Sequence, residues 1–296
     1  MRHKSVLVQE VIDYLKVDPK GVYLDLTFGR GGHTAALLDR LTTGRVIALD
    51  RDKSAIEAGH ERFMNESGKL QLMCEKFSSV SEIVREPVQG ILADLGISRD
   101  QIEDANRGFS FQRQGPLRMT MDAKQALTAK EIVNHYDERQ LADLIYQFGE
   151  ERRSRRIARA IVRERPIRDT THLAEVVEKA VPRTSFRQRH KSQIHPATRT
   201  FQAIRIAVND EIGEVEKLLA TAPLMLAPGG RMTVISFHSL EDRVVKHSFR
   251  QWNTRGVLEV LTRRIVRPST EEIAGNPASR SAKLRAAERT ELEWPQ

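Results

Sequence analysis

The chain has 296 residues, 40% hydrophobic and 30% charged, a composition that fits a globular fold of one large domain or a domain carrying an insertion. No run approaches the roughly 20 apolar residues of a membrane span, and the N-terminal MRHKSVLVQEV lacks the apolar core of a signal peptide, so a cytoplasmic location away from membranes is expected. The single cysteine, Cys74, excludes an internal disulfide and a thiolate zinc cluster, and the net charge of +8 points to a polyanionic partner, nucleic acid first.

Strand and helix signals alternate over the N-terminal third. VYLDLT (22–27) reads as a strand, His33 to Leu41 as a helix, RVIALD (45–50) as a strand, and Lys53 to Asn65 as a helix. LQLMC (70–74) and GILADL (90–95) are further strands with a short helix between them. Short apolar runs alternating with helices predict a parallel sheet covered on both faces. Cys74 closes one of these runs and is expected to pack as a small buried hydrophobe.

From Glu103 to Thr198 no strand signal is present. ERQLADLIYQFGE (138–150), SRRIARAIVRE (154–164) and THLAEVVEKAV (171–181) have helical spacing. The α/β pattern resumes with one long amphipathic helix over 200–226, a turn at Pro228, Gly229 and Gly230, and the strand RMTVISF (231–237). SLED (239–242) reads as a capping box opening the next helix. LEVLTRRIV (258–266) is a strand candidate and the tail 279–289 another. The expected organisation is an α/β domain over 1–102 and 199–296, interrupted by a helical, basic insertion over 103–198.

The loop after the first strand carries the cofactor question. A Walker A loop needs Gly-Lys-Ser/Thr, and Gly32 is followed by His33. The dinucleotide fingerprint needs a third glycine where Thr34 stands. Asp25-Leu-Thr-Phe-Gly29-Arg-Gly31 instead has the acid and Gly-x-Gly spacing of S-adenosylmethionine enzymes with a Rossmann-like sheet. Small residues let the backbone approach the amino-acid end of that donor. Asp50 ends the second strand, where a carboxylate accepts ribose hydroxyls. Asp94 ends the fourth, at the edge where open parallel sheets bind ligands.

Basic charge concentrates in the insertion. Arg152, Arg153, Arg155, Arg156, Arg159, Arg163, Arg165 and Arg168 crowd one helix and its exit. A second run from Arg183 to Arg199 includes Arg187, Arg189, His190, Lys191 and His195 and no acid. These runs suit phosphate contacts that position a nucleic acid, with Arg152, Arg153, Arg156, Arg187, Arg189, Lys191 and Arg199 as the candidate substrate contacts. His190 and His195 have no neighbouring carboxylate or cysteine in sequence, so no metal site is expected. The Ser-His pairs of ISFHSLED are neighbours on one turn and do not make a hydrolase triad.

HKSVL (3–7), DLTFGRGGH (25–33), LDRD (49–52), DLGIS (94–98), RGFSF (107–111), FGEERRSRRIARAI (148–161), HPATRTFQAIRIAVNDE (195–211), LAPGGR (226–231), ISFHSLEDRVVK (235–246) and SRSAKLRAAER (279–289) together resemble the bacterial 16S ribosomal RNA cytosine-N4 methyltransferases, the MraW/RsmH family. The resemblance runs through nearly the whole chain. It implies a Rossmann-like class I methyltransferase sheet with an inserted helical subdomain, S-adenosylmethionine as methyl donor, and a cytosine amine of 16S rRNA in the small ribosomal subunit as acceptor. The donor contacts it implies fall on Gly31, Gly32, His33, Asp50, Phe77, Asp94 and Gln101.

Two motifs depart from the family pattern. Arg99 stands where a second Ser is usual, and PLRMTMD (116–122) has Arg118 and Thr120 where the family has Asp and Arg. Asp94 is the candidate catalytic residue, hydrogen-bonded to the amine as charge develops there. C5 methylation needs a nucleophilic Cys, typically after Pro, and Cys74 follows Met73. The target base has to leave its stack to reach the site. A non-catalytic RNA-binding or ribosome-assembly protein with a vestigial pocket, and a methyltransferase for a non-RNA acceptor, are the alternatives. The oligomeric state, a homodimer included, stays open.

Overall fold

The computed structural model describes residues 5–122, 125–181 and 195–292. The chain divides into two compact units, 1–96 with 212–296, and 97–211. The first break comes before, and the second after, the positions expected from sequence.

The first unit is built on a seven-stranded sheet. Its strands are β1 (Val22–Asp25), β2 (Arg45–Leu49), β3 (Leu70–Met73), β4 (Val88–Asp94), β5 (Leu226–Ser236), β6 (Leu258–Val260) and β7 (Lys283–Arg289), in the order β3-β2-β1-β4-β5-β7-β6. The first five pair in parallel, with Leu24 opposite Ile47 on one side and Ile91 on the other. β7 runs antiparallel between β5 and β6.

Alternation along each strand sends successive residues to opposite faces. Tyr23, Val46, Ala48, Leu92 and Ile235 pack with Val11, Ile12 and Leu15 of α1 (Val8–Leu15) and with Leu37 and Leu38 of α2 (Gly32–Leu38). Leu24, Ile47, Ile91 and Val234 pack on the other face with Val215, Leu218 and Leu219 of α11 (Glu211–Met225) and with Phe249 and Trp252 of α12 (Ser239–Thr254). Burial on both faces explains the continuous apolar runs. Leu24 is fully buried, so truncation to Ala would cost about 2–5 kcal/mol.

The second unit is helical, and no strand occurs among its described residues. Its helices are α5 (Arg99–Glu103), α6 (Ala129–His135), α7 (Glu138–Gly149), α8 (Ser154–Arg163), α9 (Thr170–Ala180) and α10 (Ala197–Asn209). Asp137 and Gln140 close a capping box on α7, and Asp169 caps α9 through the His172 amide. That amide and the Thr171 hydroxyl, which donates to the same carboxylate at 2.7 Å, hold the Asp169 carboxyl below its ordinary range. Ile157, Ala158 and Ile161 of α8 face the core, which continues through Ile132, Leu141, Ile145, Val177 and Ile204.

Three sequence expectations need correction. The helix foreseen over 200–226 is two, α10 and α11, because Asp210 adopts a left-handed conformation at φ 49°. Asn209 ends α10 by turning its side chain to the 116–122 loop: it donates to Met119 O at 2.7 Å and accepts from Met121 N at 2.8 Å. The box at α12 is shifted by one residue. His238, not Ser239, is the cap, since its Nδ1 accepts the Glu241 amide at 3.3 Å. Cys74 is exposed at the end of β3, not buried.

Candidate active site

The carboxyl ends of β1, β2 and β4 bring Asp25, Asp50 and Asp94 to one edge of the sheet, and the loop between β1 and α2 runs along that edge. Asp25 is buried. Its Oδ2 accepts the Thr34 hydroxyl at 2.7 Å, and its Oδ1 accepts Thr27 N at 3.2 Å. Burial raises its pKa, opposed by the neighbouring His33 and these hydrogen bonds. Asp25 thus pins the loop to the first turn of α2.

The loop is held at its other end by Asp50. One oxygen accepts Gly29 N at 2.8 Å and the other accepts Asp52 N at 2.9 Å. Burial pushes the Asp50 carboxyl up to about 6, with the two amides pulling it down. An ionised carboxylate has about four acceptor positions, so two remain for hydroxyl donors such as those of a ribose. Asp52 caps α3 (Lys53–Arg62) through Ser54 N at 3.1 Å.

The glycines of the loop divide into two kinds. Gly29 and Gly31 both have positive φ, 53° and 68°. A Cβ on Gly31 would lie 2.6 Å from Phe63 and 2.7 Å from Phe28, and one on Gly32 would fall onto the Ser5 hydroxyl. Packing beneath the loop therefore requires those two. A Cβ on Gly29 would meet nothing nearer than Thr27 O at 3.9 Å, so that backbone faces open space and permits close approach of a ligand.

Asp94 ends β4. Its amide donates to Thr27 Oγ1 at 2.6 Å, and its Oδ2 lies 3.9 Å from His33 Nδ1. His33 is buried and donates from Nε2 to Val6 O at 2.9 Å, which leaves Nδ1 to face the carboxylate. The Asp94 side chain is only 23% exposed, and its Oδ1 is buried with no hydrogen-bond partner among the described residues. Burial pushes its pKa up to about 6. His33 opposes that shift, while the Asp25 and Glu241 carboxylates add to it. A buried acceptor without a partner costs about 1–3 kcal/mol, which is the expected mark of a group kept for a ligand.

Phe77 opens the short turn after β3 at the same sheet edge, half-buried against the core. Gly31, Gly32, His33, Asp50, Phe77 and Asp94 are thus gathered in one unit. Gln101 belongs to the other unit, where it completes the capping box of α5 with Ser98. Arg152, Arg153, Arg156 and Arg199 are exposed there. Arg199 lies 3.7 Å from Glu151. Arg187, Arg189 and Lys191 lie outside the described residues, as does His190. His195 stacks on Phe111, with ring centres 4.6 Å apart, and reaches Glu178 at 3.8 Å. Thr27 and Thr34, which fix the carboxylates, were not singled out from sequence. Their positions two and nine residues after Asp25 were the only signal.

A five-strand parallel sheet ending in a reversed hairpin pair, with a glycine loop after β1 and acids closing β2 and β4, defines a Rossmann-like class I methyltransferase. The half-used Asp50 carboxylate and the open face of Gly29 fit S-adenosylmethionine, the donor of that class. The MraW methylase family model matches residues 1–290, and the chain belongs to that family. It is 52% identical over 290 residues to the ribosomal RNA small subunit methyltransferase H of Solibacter usitatus, covering 97% of this chain and 99% of that one. The proteins of the same name from Koribacter versatilis and Crocosphaera subtropica are 51% and 50% identical, over 97% and 98% of this chain and 94% and 90% of theirs.

Proposed function

We propose that the protein methylates the exocyclic N4 amine of a cytosine in small-subunit (16S) ribosomal RNA. Relatives at about half identity over nearly their full length carry the small-subunit rRNA methyltransferase name, which supports the RNA class. The observation that carries the amine is Asp94, a buried carboxylate with an unused oxygen beside the donor loop.

S-adenosylmethionine, when bound, supplies an electrophilic methyl group. Asp50 would hold its ribose, Phe77 would cover its adenine, and Gly31, Gly32 and His33 complete the contacts proposed for the first unit. The cytosine amine is a poor nucleophile because its lone pair is delocalised into the ring. Fixing it in line with the methyl group supplies much of the rate, since orientation contributes roughly 7–11 kcal/mol. Asp94 accepts a hydrogen bond from N4–H, which steadies the growing positive charge. On methylation of N4, the surplus N4 proton would pass to Asp94. Its pKa of about 6 lies close enough to neutrality for that role.

The second unit serves as the RNA-recognition part in this proposal. α8 buries Ile157, Ala158 and Ile161 and turns Arg155, Arg156 and Arg163 to the surface, and Arg152 and Arg153 are exposed in the turn just before it. Arg118 is exposed in that unit, while Thr120 is buried with its carbonyl held by Arg107 at 3.1 Å. Both departures from the family pattern thus lie outside the unit that holds the carboxylates.

The test is transfer of labelled methyl from S-adenosylmethionine to small ribosomal subunits that lack the modification. Wild type should label the RNA, and Asp94→Ala should lose at least 100-fold in kcat/KM with the donor still bound. Full activity in the variant would remove the amine-binding role of Asp94.

A further inference from the structure

Among the described residues, two of the buried polar atoms without a hydrogen-bond partner sit at the ends of neighbouring strands. They are Asp94 Oδ1 after β4 and His238 Nε2 after β5. The two strands are in parallel register with Asp94 opposite Ile235, and Leu95 N donates to Ile235 O at 2.9 Å. The Asp94 carboxyl senses the charge of Glu241, and Glu241 Oε1 lies 3.2 Å from His238 Nε2 without hydrogen-bond geometry. The two orphaned atoms therefore share one end of the sheet.

Their chemistry is complementary. The His238 side chain is only 9% exposed, and its Nδ1 accepts the Glu241 amide. A neutral imidazole whose Nδ1 accepts must carry its proton on Nε2. Glu241 also holds the turn from the other side, its Oε2 accepting Phe237 N at 2.9 Å. That end of the sheet thus carries an unpartnered acceptor on Asp94 and an unpartnered donor on His238, among the described residues. The Watson–Crick edge of cytosine presents the matching pair, an N4–H donor beside the N3 acceptor. Uracil presents the reverse, an O4 acceptor beside N3–H. A base removed from its stack is read through that edge.

We propose that Asp94 Oδ1 and His238 Nε2–H are the pair that selects cytosine, Asp94 taking N4–H and His238 donating to N3. The inference rests on the cytosine-N4 reading above. His238 is then both the cap of α12 and a base-reading residue, so helix and specificity share one side chain.

The variant that separates these roles is His238→Asn. Asn keeps an acceptor for the Glu241 amide, being among the best capping residues, but has no group at the Nε2 position. The probe is a small subunit reconstituted with 3-deazacytidine at the cytidine that wild type methylates, which replaces the N3 acceptor by C–H and keeps the N4 amine. Wild type should lose about 10- to 100-fold in kcat/KM on the deaza subunit, the range for one hydrogen bond to a buried group. His238→Asn should lose the same factor on the natural subunit and nothing more on the deaza one. Its affinity for S-adenosylhomocysteine should be unchanged.

Full wild-type activity on the deaza subunit overturns the proposal, as do losses that multiply. Were His238→Asn to fail to fold, the wild-type comparison alone would still decide. If wild type forms no N4-methylcytidine at all, the parent reading fails and this one with it. N4-methylcytidine together with multiplying losses overturns this inference alone.

Discussion

Replacing Asp94 by Asn should stabilise the protein while silencing it. The Asp94 carboxyl is pushed up to about 6 from an ordinary 3.8, chiefly by burial. At 1.36 kcal/mol per unit, that shift corresponds to a penalty of up to about 3 kcal/mol for holding the carboxylate ionised in the folded state. The folded pKa lies above the unfolded one, so the penalty is fully present above pH 6, shrinks as pH falls from 6 towards 4, and is gone below. Asn has the same shape and no charge, so it removes the penalty. Asp94→Asn should therefore gain about 1–3 kcal/mol at pH 7.5, several degrees in thermal midpoint, and only about a third of that at pH 4.5. The assay is urea unfolding of both proteins at the two pH values without methyl donor. A variant less stable than wild type at pH 7.5, or a gain equal at both pH values, would refute the reasoning. The same substitution should lower methyl transfer at least 100-fold, which makes Asp94 a site where stability is given up for function.

Donor affinity should fall as pH drops through about 6, because Asp50 must be ionised to accept ribose hydroxyls and its carboxyl titrates there. Calorimetric titration with S-adenosylhomocysteine should show about a tenfold loss at pH 5 relative to pH 7.5, with that part of the slope absent in Asp50→Asn. Gly31→Ala should cost about 2–4 kcal/mol in urea unfolding, since a Cβ there combines φ 68° with contacts of 2.6 and 2.7 Å to Phe63 and Phe28. Replacing Arg152, Arg153 and Arg156 together by Ala should weaken RNA binding. It should also flatten the dependence on salt, by about one unit of log–log slope for each phosphate that the variant no longer neutralises. An unchanged salt slope would place the RNA surface elsewhere.

The sheet was legible because its signals are local. VYLDLT, RVIALD and GILADL are buried on both faces, so their apolar runs announce parallel strands, and the acids that end them mark the ligand edge. α8 was legible for the same reason, its apolar stripe and arginine face lying at helical spacing. What the sequence hid depends on distant partners. One helix over 200–226 was the natural reading until Asn209 met the backbone of Met119 and Met121, about ninety residues earlier in the chain. SLED resembles a capping box, yet the imidazole of His238 reaches the Glu241 amide and takes the cap. α1 lies between two residues of left-handed conformation, Leu7 and Lys16, which no local preference announces. At the site, the carboxylates could be named from strand ends and family motifs. Which hydroxyl or amide holds each one, and that Asp94 Oδ1 and His238 Nε2 have no partner among the described residues, required the fold.

The identity of the methylated nucleoside tests the central claim most directly. Small ribosomal subunits labelled by the protein should be digested to nucleosides and the label located by mass spectrometry. The account predicts N4-methylcytidine at one site, absent with Asp94→Asn. Label on carbon 5 of cytosine, on a ribose, or on ribosomal protein would contradict it.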